Sequence, residues 1–203
     1  SAVFGLLHIS SGSLKIDGID ITTVSQELLR SKMIALPQDP YFTSGTVREN
    51  LSLRATDTKR SDAEMLASLS RVGLLSKFET LAEAEGSTWQ TPLDVLLNPD
   101  DILTKGQTQL FAMARAILSS GSIVLVDEAT SGLDHETEAT VQKLLREEFG
   151  GKTVIAIAHH LQTIVDFDVV VVLDGGRVAE VGVPGELREK EDSLFGELLR
   201  AAT

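Results

Sequence analysis

The chain lacks cysteine among its 203 residues, so it can form neither a disulfide framework nor a thiolate metal site. A cysteine-free chain is compatible with a reducing compartment. Basic residues are scarce, with 18 Lys and Arg against 30 Asp and Glu, which gives a formal net charge of -12. Because nucleic acids and anionic membranes attract basic patches, this balance argues against both as partners of the chain.

Long apolar runs are also missing. None approaches the roughly 20 residues that span a bilayer, so we expect the chain itself to be soluble. The length fits about one domain and is enough to bury a substantial core.

Four apolar residues in succession, at positions 123–126, predict a strand buried on both faces of a parallel sheet. Asp127 and Glu128 follow at its carboxyl end, where ligands bind in open α/β sheets. An acidic pair at this place suits a divalent metal and an activated water. Taken alone, the pair could equally be the polar end of a core strand, with Glu128 solvated.

Further apolar runs at 33–36, 154–158 and 169–173 alternate with helical patterns. This alternation predicts a mainly parallel sheet with helices on both faces. The region from residue 50 to 101 contains no such run and shows helical patterns, which indicates a helical insert. Residues 184–201 predict an amphipathic helical tail.

Polar residues follow three of the predicted strands, namely Gln38, the pair Asp127 and Glu128, and His159. A single glutamine in a loop, or a single histidine after a strand, is more often structural than functional. Because the carboxyl ends of parallel strands share one edge of a sheet, we expect these groups to converge, and three such groups at one edge favour phosphate and metal chemistry.

Residues 103–107, Leu-Thr-Lys-Gly-Gln, open a strongly periodic helix. Free backbone amides and the helix dipole make such a start a possible anion site. An amphipathic core helix preceded by a glycine would give the same pattern.

The order of these motifs resembles that of the ATP-binding cassette (ABC) family of transporter ATPases. Residues 36–38 resemble the Q-loop, 103–107 the signature motif, 123–128 the Walker B strand, and 131–134 the D-loop, while His159 resembles the switch histidine. The resemblance covers nearly the whole chain. Two sequence segments, residues 37–40 and 109–118, are most similar to the second nucleotide-binding domain of C-subfamily, multidrug-resistance-associated exporters.

The resemblance implies a P-loop NTPase-like (RecA-like) α/β fold, with residues 1–203 forming one ABC-type ATPase domain and residues 50–118 a helical signature subdomain. The phosphate-cradling Walker A loop, G-x-x-x-x-G-K-[ST], is absent from the 203 residues. We therefore expect the domain to be incomplete at its N-terminus, with the strand and loop missing and residues 1–7 forming the end of the following helix.

The resemblance also implies ATP and Mg²⁺ as cofactors. Asp127 would hold Mg²⁺ through its water shell, and Gln38 would coordinate the ion or the attacking water. Glu128 would act as general base, and His159 would bind the γ-phosphate and stabilise charge in the transfer.

Two domains of this family pair head to tail, so Thr104, Lys105, Gly106 and Gln107 would meet the ATP bound to the partner, and Asp134 would link the two sites. The family usually has serine, and glycine or valine, at positions 104 and 105. The charge of Lys105 could either aid binding or obstruct closure. His160 stands where an arginine usually follows the switch histidine.

The expected function is therefore that of an exporter's ATPase domain, with a second nucleotide-binding domain and transmembrane domains as partners. It would lie at the cytoplasmic face of a membrane through the full-length transporter and would be inactive as an isolated fragment. One alternative is a non-catalytic module that lends its signature motif to another subunit's ATP site. Another is a soluble ABC ATPase of DNA repair or translation, against which the acidic balance argues.

Overall fold

The structure, a computed structural model, describes residues 8–53, 60–84, 87–158 and 160–201. The helix expected over residues 1–7 lies outside the described residues. The chain divides into two compact units, Ser1–Ile155 and Ala156–Thr203.

Strands and helices alternate along most of the described chain. The strands are β1 (Lys15–Ile16), β2 (Ile19–Asp20), β3 (Met33–Leu36), β4 (Gly45–Thr46), β5 (Leu96–Leu97), β6 (Ile123–Asp127), β7 (Thr153–Ile157), β8 (Val170–Asp174) and β9 (Arg177–Gly182). The α-helices are α1 (Gln26–Ser31), α2 (Val47–Leu51), α3 (Asp62–Arg71), α4 (Leu75–Glu83), α5 (Pro99–Ile102), α6 (Lys105–Ile117), α7 (His135–Phe149), α8 (Pro184–Glu189) and α9 (Leu194–Ala201). Short 3-10 helices cover Ile21–Thr23, Pro92–Asp94 and Leu161–Ile164.

The central sheet has the strand order β3-β6-β7. β3 and β6 are parallel, and their register pairs Met33 with Ile123 and Leu36 with Val126. Ile34 and Val124 are fully buried, as expected for apolar strands covered on both faces. The mixed α/β fold with a parallel sheet is thus confirmed, and the four predicted apolar strands agree with the observed bounds to within one residue.

At Gly121, shortly before β6 begins, the chain passes close to Lys32, the residue that precedes β3. A Cβ at this position would lie 2.9 Å from the Lys32 carbonyl oxygen and 2.9 Å from Ile34 Cγ1. The same Lys32 carbonyl accepts hydrogen bonds from the amides of Ser122 (2.9 Å) and Ile123 (3.2 Å). Only a glycine fits this approach, which sets the start of the strand pairing.

Helix α6 packs through Phe111, which is fully buried and lies against Phe42 (5.4 Å between ring centroids) and Phe78 of α4 (6.1 Å). The region from residue 50 to 101 is mainly helical, as expected, but it also contributes β5, which pairs antiparallel with β4. Strands of two residues are too short to produce a recognisable alternation. The assignment of residues 50–118 as a signature subdomain stays a prediction.

In the unit Ala156–Thr203, β8 and β9 form an antiparallel hairpin. A small core of Val170, Leu187, Phe195 and Leu199 joins the hairpin to α8 and α9. The predicted helical tail is divided into these two helices, because Lys190 adopts an extended conformation with φ -76° and ψ 128°. No helix in the parts of the chain that the structure describes has the length and hydropathy needed to cross a membrane.

The start of α9 is fixed by a carboxylate from β9. Glu180 Oε2 accepts hydrogen bonds from Ser193 Oγ (2.9 Å) and from the Phe195 amide (3.0 Å), and the Glu180 side chain is only 10% exposed. The Phe195 amide, followed by the Ser193 hydroxyl, lowers the pKa of Glu180 below its ordinary value. Lys190 adds a weaker attraction at 3.7 Å.

We expect this carboxylate to make the stability of α9 depend on pH. Because the folded-state pKa is lowered, the stabilisation is present above the unfolded-state pKa and is lost as pH falls through the folded-state value. The protection of α9 amides from hydrogen exchange, after correction for the intrinsic exchange rate at each pH, should therefore fall in acid relative to that of β9, and Glu180→Gln should weaken this dependence. The control is Glu186→Gln, which removes an exposed carboxylate of α8. An unchanged pH dependence in Glu180→Gln would contradict the assignment.

Candidate functional site

The parallel register brings two of the predicted polar segments to one edge of the sheet. Since Leu36 pairs with Val126, the chain leaves β3 through Pro37 and Gln38 beside the point where it leaves β6 through Asp127 and Glu128. The side chains of Gln38 and Asp127 are exposed and that of Glu128 is half-buried. This edge therefore presents two carboxylates and a neutral amide to solvent or to a ligand.

Glu128 has an unusual backbone conformation, with φ at 49°. Among the described residues, Asp17 is the only other non-glycine residue with positive φ. A left-handed conformation costs a residue with a Cβ roughly 1–2 kcal/mol, and such strain is concentrated at functional sites. The left-handed conformation of Glu128 turns the chain sharply at the end of β6, so that Asp127 and Glu128 both lie at the sheet edge.

A tight loop connects this edge to α7. The Ser131 amide donates to the Glu128 carbonyl (2.9 Å), and the Leu133 amide donates to Thr130 (3.2 Å). Asp134 ends the loop as the N-cap of α7, with its two carboxylate oxygens accepting from the amide (3.0 Å) and the hydroxyl (2.7 Å) of Thr137. These two bonds lower the pKa of Asp134, the amide having the larger effect. Asp134 thus fixes the entry into α7.

The first turn of α6 contains three of the predicted signature residues, Lys105, Gly106 and Gln107. Thr104 is the N-cap, its hydroxyl accepts from the Gln107 amide (3.3 Å), and its amide donates to Gln107 Oε1 (3.1 Å). This capping box uses the side chains of Thr104 and Gln107 to order the turn. Lys105, the first residue of α6, is exposed.

The start of α6 lies against the loop and the first turn of α7. A Cβ on buried Gly106 would lie 3.0 Å from both Oγ1 and Cγ2 of Thr137, and a Cβ on Gly132 would lie 2.8 Å from Lys105 Nζ. Gly132 itself needs a φ of 71°. The structure therefore brings Lys105 and Gly106 together with the loop that Asp134 closes.

Sequence reasoning missed the side chains by which α6 holds the segment after β3. Gln109 is 4% exposed, and its Nε2 donates to the carbonyl oxygens of Pro37 (3.2 Å) and Gln38. A glutamine on the buried face of an amphipathic helix was the available signal, because buried polar groups need partners.

Arg115 also attaches α6 to the segment that follows β3. Its guanidinium donates to the carbonyl oxygens of Tyr41 (2.6 Å) and Asn50 (2.7 Å), and lies 4.5 Å from the ring centroid of Phe42. Desolvation by burial lowers the pKa of Arg115 to about 10, so the group still carries its charge at neutral pH. Carbonyl dipoles and aromatic faces surround the charge.

The oxygen donors at the sheet edge fit Mg²⁺. This ion keeps several waters and usually binds one or two protein carboxylates together with substrate phosphates. Within the described ranges no group of three or more His, Cys, Asp or Glu side chains could hold a metal. One carboxylate of Asp127 and one amide oxygen of Gln38 make an open set that phosphate oxygens and waters can complete.

His159, predicted to complete this site, lies outside the described residues. The structure thus places Gln38, Asp127 and Glu128 at one edge, and Thr104, Lys105, Gly106, Gln107 and Asp134 around the first turns of α6 and α7.

A family model described as ABC transporter matches residues 1–131. The chain is 42% identical over 202 residues to the ABC transporter gloK of Glarea lozoyensis, covering all of this chain and 14% of that protein. It is 35% identical over 209 residues to the ATP-dependent bile acid permease of Saccharomyces cerevisiae, covering 96% of this chain and 12% of the permease. The chain therefore spans only a small part of the length of these relatives.

Among solved structures, a bacterial Atm1-family ABC exporter with ATP bound superimposes with a TM-score of 0.81 at 29% sequence identity. The match covers 99% of this chain and 34% of the exporter chain.

The contact of Gly106 with Thr137 gives a test of how α6 is seated. Replacing a helical glycine by alanine normally stabilises a helix by about 1 kcal/mol, but here the new methyl would press on a threonine that is held by Asp134. We expect Gly106→Ala to be less favourable by about 1–3 kcal/mol in the native background than in a Thr137→Ala background. The free energy of unfolding in urea measures this for the four proteins of the cycle. Equal effects in both backgrounds would show that the two helices do not meet at this point.

Proposed function

Because the chain belongs to the ABC transporter family, we propose that it forms the ATP-binding and ATP-hydrolysing part of an exporter. The observation that carries this proposal is the register of β3 and β6, which brings the segments that follow the two strands to one sheet edge. Gln38 belongs to one of these segments, and Asp127 and Glu128 to the other. The match to an ABC exporter with ATP bound over 99% of the chain supports it further.

In the proposed reaction, water attacks the γ-phosphorus of ATP, the bond to the bridging oxygen of ADP breaks, and inorganic phosphate forms. Asp127, through the water shell of the ion, and the amide oxygen of Gln38 would hold Mg²⁺, which would neutralise charge on the phosphates. Glu128 orients the attacking water and accepts its proton. His159 donates a hydrogen bond to the γ-phosphate and stabilises the charge that develops there.

We further propose that a second nucleotide-binding domain pairs head to tail with this one. The first turn of α6 then meets the ATP bound to the partner, through the hydroxyl of Thr104, the backbone at Gly106, the amide of Gln107 and the ammonium of Lys105. The capping box and the contact with α7 support this role, because they preorganise the turn before ligand arrives. Asp134 connects the turn to the sheet edge of its own chain through the loop of residues 128–134.

The transport role rests on the relatives. They include a protein named an ATP-dependent bile acid permease and one named ABC multidrug transporter B, of Aspergillus fumigatus. We propose that the chain works with transmembrane domains at the cytoplasmic side of a membrane, and that ATP-dependent pairing of the two domains drives export. The sequences of residues 37–40 and 109–118 favour the proposal that the chain is the second nucleotide-binding domain of a C-subfamily exporter.

The ordered first turn of α6 also supports a second candidate function. The 203 residues contain no G-x-x-x-x-G-K-[ST] loop, and that loop supplies most backbone contacts to the phosphates of ATP. A chain without it could still lend Thr104, Lys105, Gly106 and Gln107 to a site on another subunit. In that case the chain would act as a non-catalytic module.

We expect the 203-residue chain alone to bind Mg-ATP very weakly, because the phosphate-cradling amides are absent from its sequence. Calorimetric titration of the isolated chain should give a Kd well above the micromolar range, beside the polypeptide expressed from the complete gene as the reference. Micromolar affinity, about -8 kcal/mol, in the isolated chain would contradict this expectation.

In the polypeptide expressed from the complete gene, Glu128→Gln should retain ATP but hydrolyse it about 10² to 10⁴ times more slowly, because the amide keeps the shape of the carboxylate and cannot accept the proton. Single-turnover hydrolysis and retention of radiolabelled ATP measure the two effects. Glu138→Gln, on α7, is the control. Undiminished turnover in Glu128→Gln would remove this residue from the role of base.

A further inference from the structure

We propose that Gln109 is a positioning residue for Gln38, and that through it α6 sets the place of the Gln38 amide at the Mg-ATP site. This inference rests on the proposed function, in which the amide oxygen of Gln38 holds Mg²⁺. Gln109 itself would touch neither nucleotide nor metal.

The contact joins distant parts of the sequence. Gln109 Nε2 donates to the carbonyl oxygen of Pro37 at 3.2 Å and to that of Gln38, which are 72 and 71 positions away. A primary amide has two N–H donors, and the Nε2 atom lies within hydrogen-bond distance of two successive carbonyl oxygens of one segment. Two bonds from one nitrogen fix both the position and the orientation of that backbone.

The environment makes this attachment stiff. Gln109 is 4% exposed and lies on the buried side of α6, where Gly106 (i−3) and Met113 (i+4) are also buried. Water therefore competes poorly for its amide, and a buried donor without a partner is costly. The Gln38 side chain, by contrast, is exposed and forms no hydrogen bond with another described residue. The backbone is held while the functional amide stays available.

A second attachment from the same helix keeps the segment from rotating about the first. Arg115 donates to the Tyr41 carbonyl at 2.6 Å and lies 4.5 Å from the ring centroid of Phe42. It stands six residues after Gln109, about 9 Å further along a helix with a rise of 1.5 Å per residue. Residues 37–41 are therefore held at both ends by one rigid element.

The same helix is capped by Thr104 and begins with Lys105 and Gly106. A displacement of this first turn, which in the proposed pair of domains meets the partner's ATP, would move Gln109 and with it the backbone of Gln38. Packed side chains and hydrogen bonds form a continuous path between the two places. Gln109 thus couples the signature turn to the ligand amide within one chain.

The test uses the polypeptide expressed from the complete gene, with Glu128→Gln present to prevent turnover. Binding of a fluorescent ATP analogue is titrated against Mg²⁺. We expect Gln109→Leu, which removes both donors at similar volume, to raise the Mg²⁺ concentration for half-maximal binding about tenfold or more, as loss of a supporting partner does at metal sites. Binding in EDTA should not change. Gln142→Leu, on α7, is the matched control.

Two further measurements separate positioning from general stability. Exchange of the Asp39, Tyr41 and Phe42 amides should accelerate in Gln109→Leu, while exchange in β6 stays the same. If Gln109 acts through Gln38, the double variant Gln38→Ala and Gln109→Leu should require no more Mg²⁺ than Gln38→Ala alone.

The outcomes are distinct. A shift in Gln38→Ala without one in Gln109→Leu would overturn the proposal and leave the proposed function intact. Additive shifts in the double variant would overturn it too. No shift in either single variant would reject the role of Gln38 in the proposed function, and the inference with it.

Discussion

The parallel pairing of β3 with β6 is the constraint on which the candidate site depends. Its register sets Leu36 beside Val126, so a slip by one residue would exchange the buried and exposed faces of a strand. The close approach at Gly121 helps to fix that register from the other end of β6, because a side chain there would meet the Lys32 carbonyl. The position of the carboxylates at 127 and 128 is thus decided by packing several residues away.

Helix α6 gives the site its second fixed reference. It begins in a capping box, presses Gly106 onto Thr137 of α7, and holds the segment after β3 with Gln109 and Arg115. The helix therefore touches two of the routes by which the chain leaves the central sheet, the one after β3 and the one from Glu128 to Asp134. Since each contact is a hydrogen bond or a close packing contact, the helix, the two routes and the sheet edge form one connected arrangement.

The sequence predicted what depends on local pattern. Apolar runs indicated β3 and β6 correctly. It did not predict the contact of Gln109 with Pro37 and Gln38, because residues 72 positions apart meet only once the fold is formed. The pairing of β4 with β5 and the break at Lys190 escaped for a different reason, since each involves too few residues to change a periodic pattern.

The charges of the site follow from the same geometry. Asp127 and Glu128 stand next to each other at the sheet edge, where no lysine or arginine pairs with Asp127 among the described residues, and phosphates of a nucleotide would be repelled there. Arg115, which contacts the segment after β3, instead donates to carbonyl groups and lies against the ring of Phe42. In the proposed function, an edge of this kind accepts ATP only together with a divalent cation. The exposure of the acidic pair then follows from the position at which β6 ends, and so does the proposed requirement for Mg²⁺.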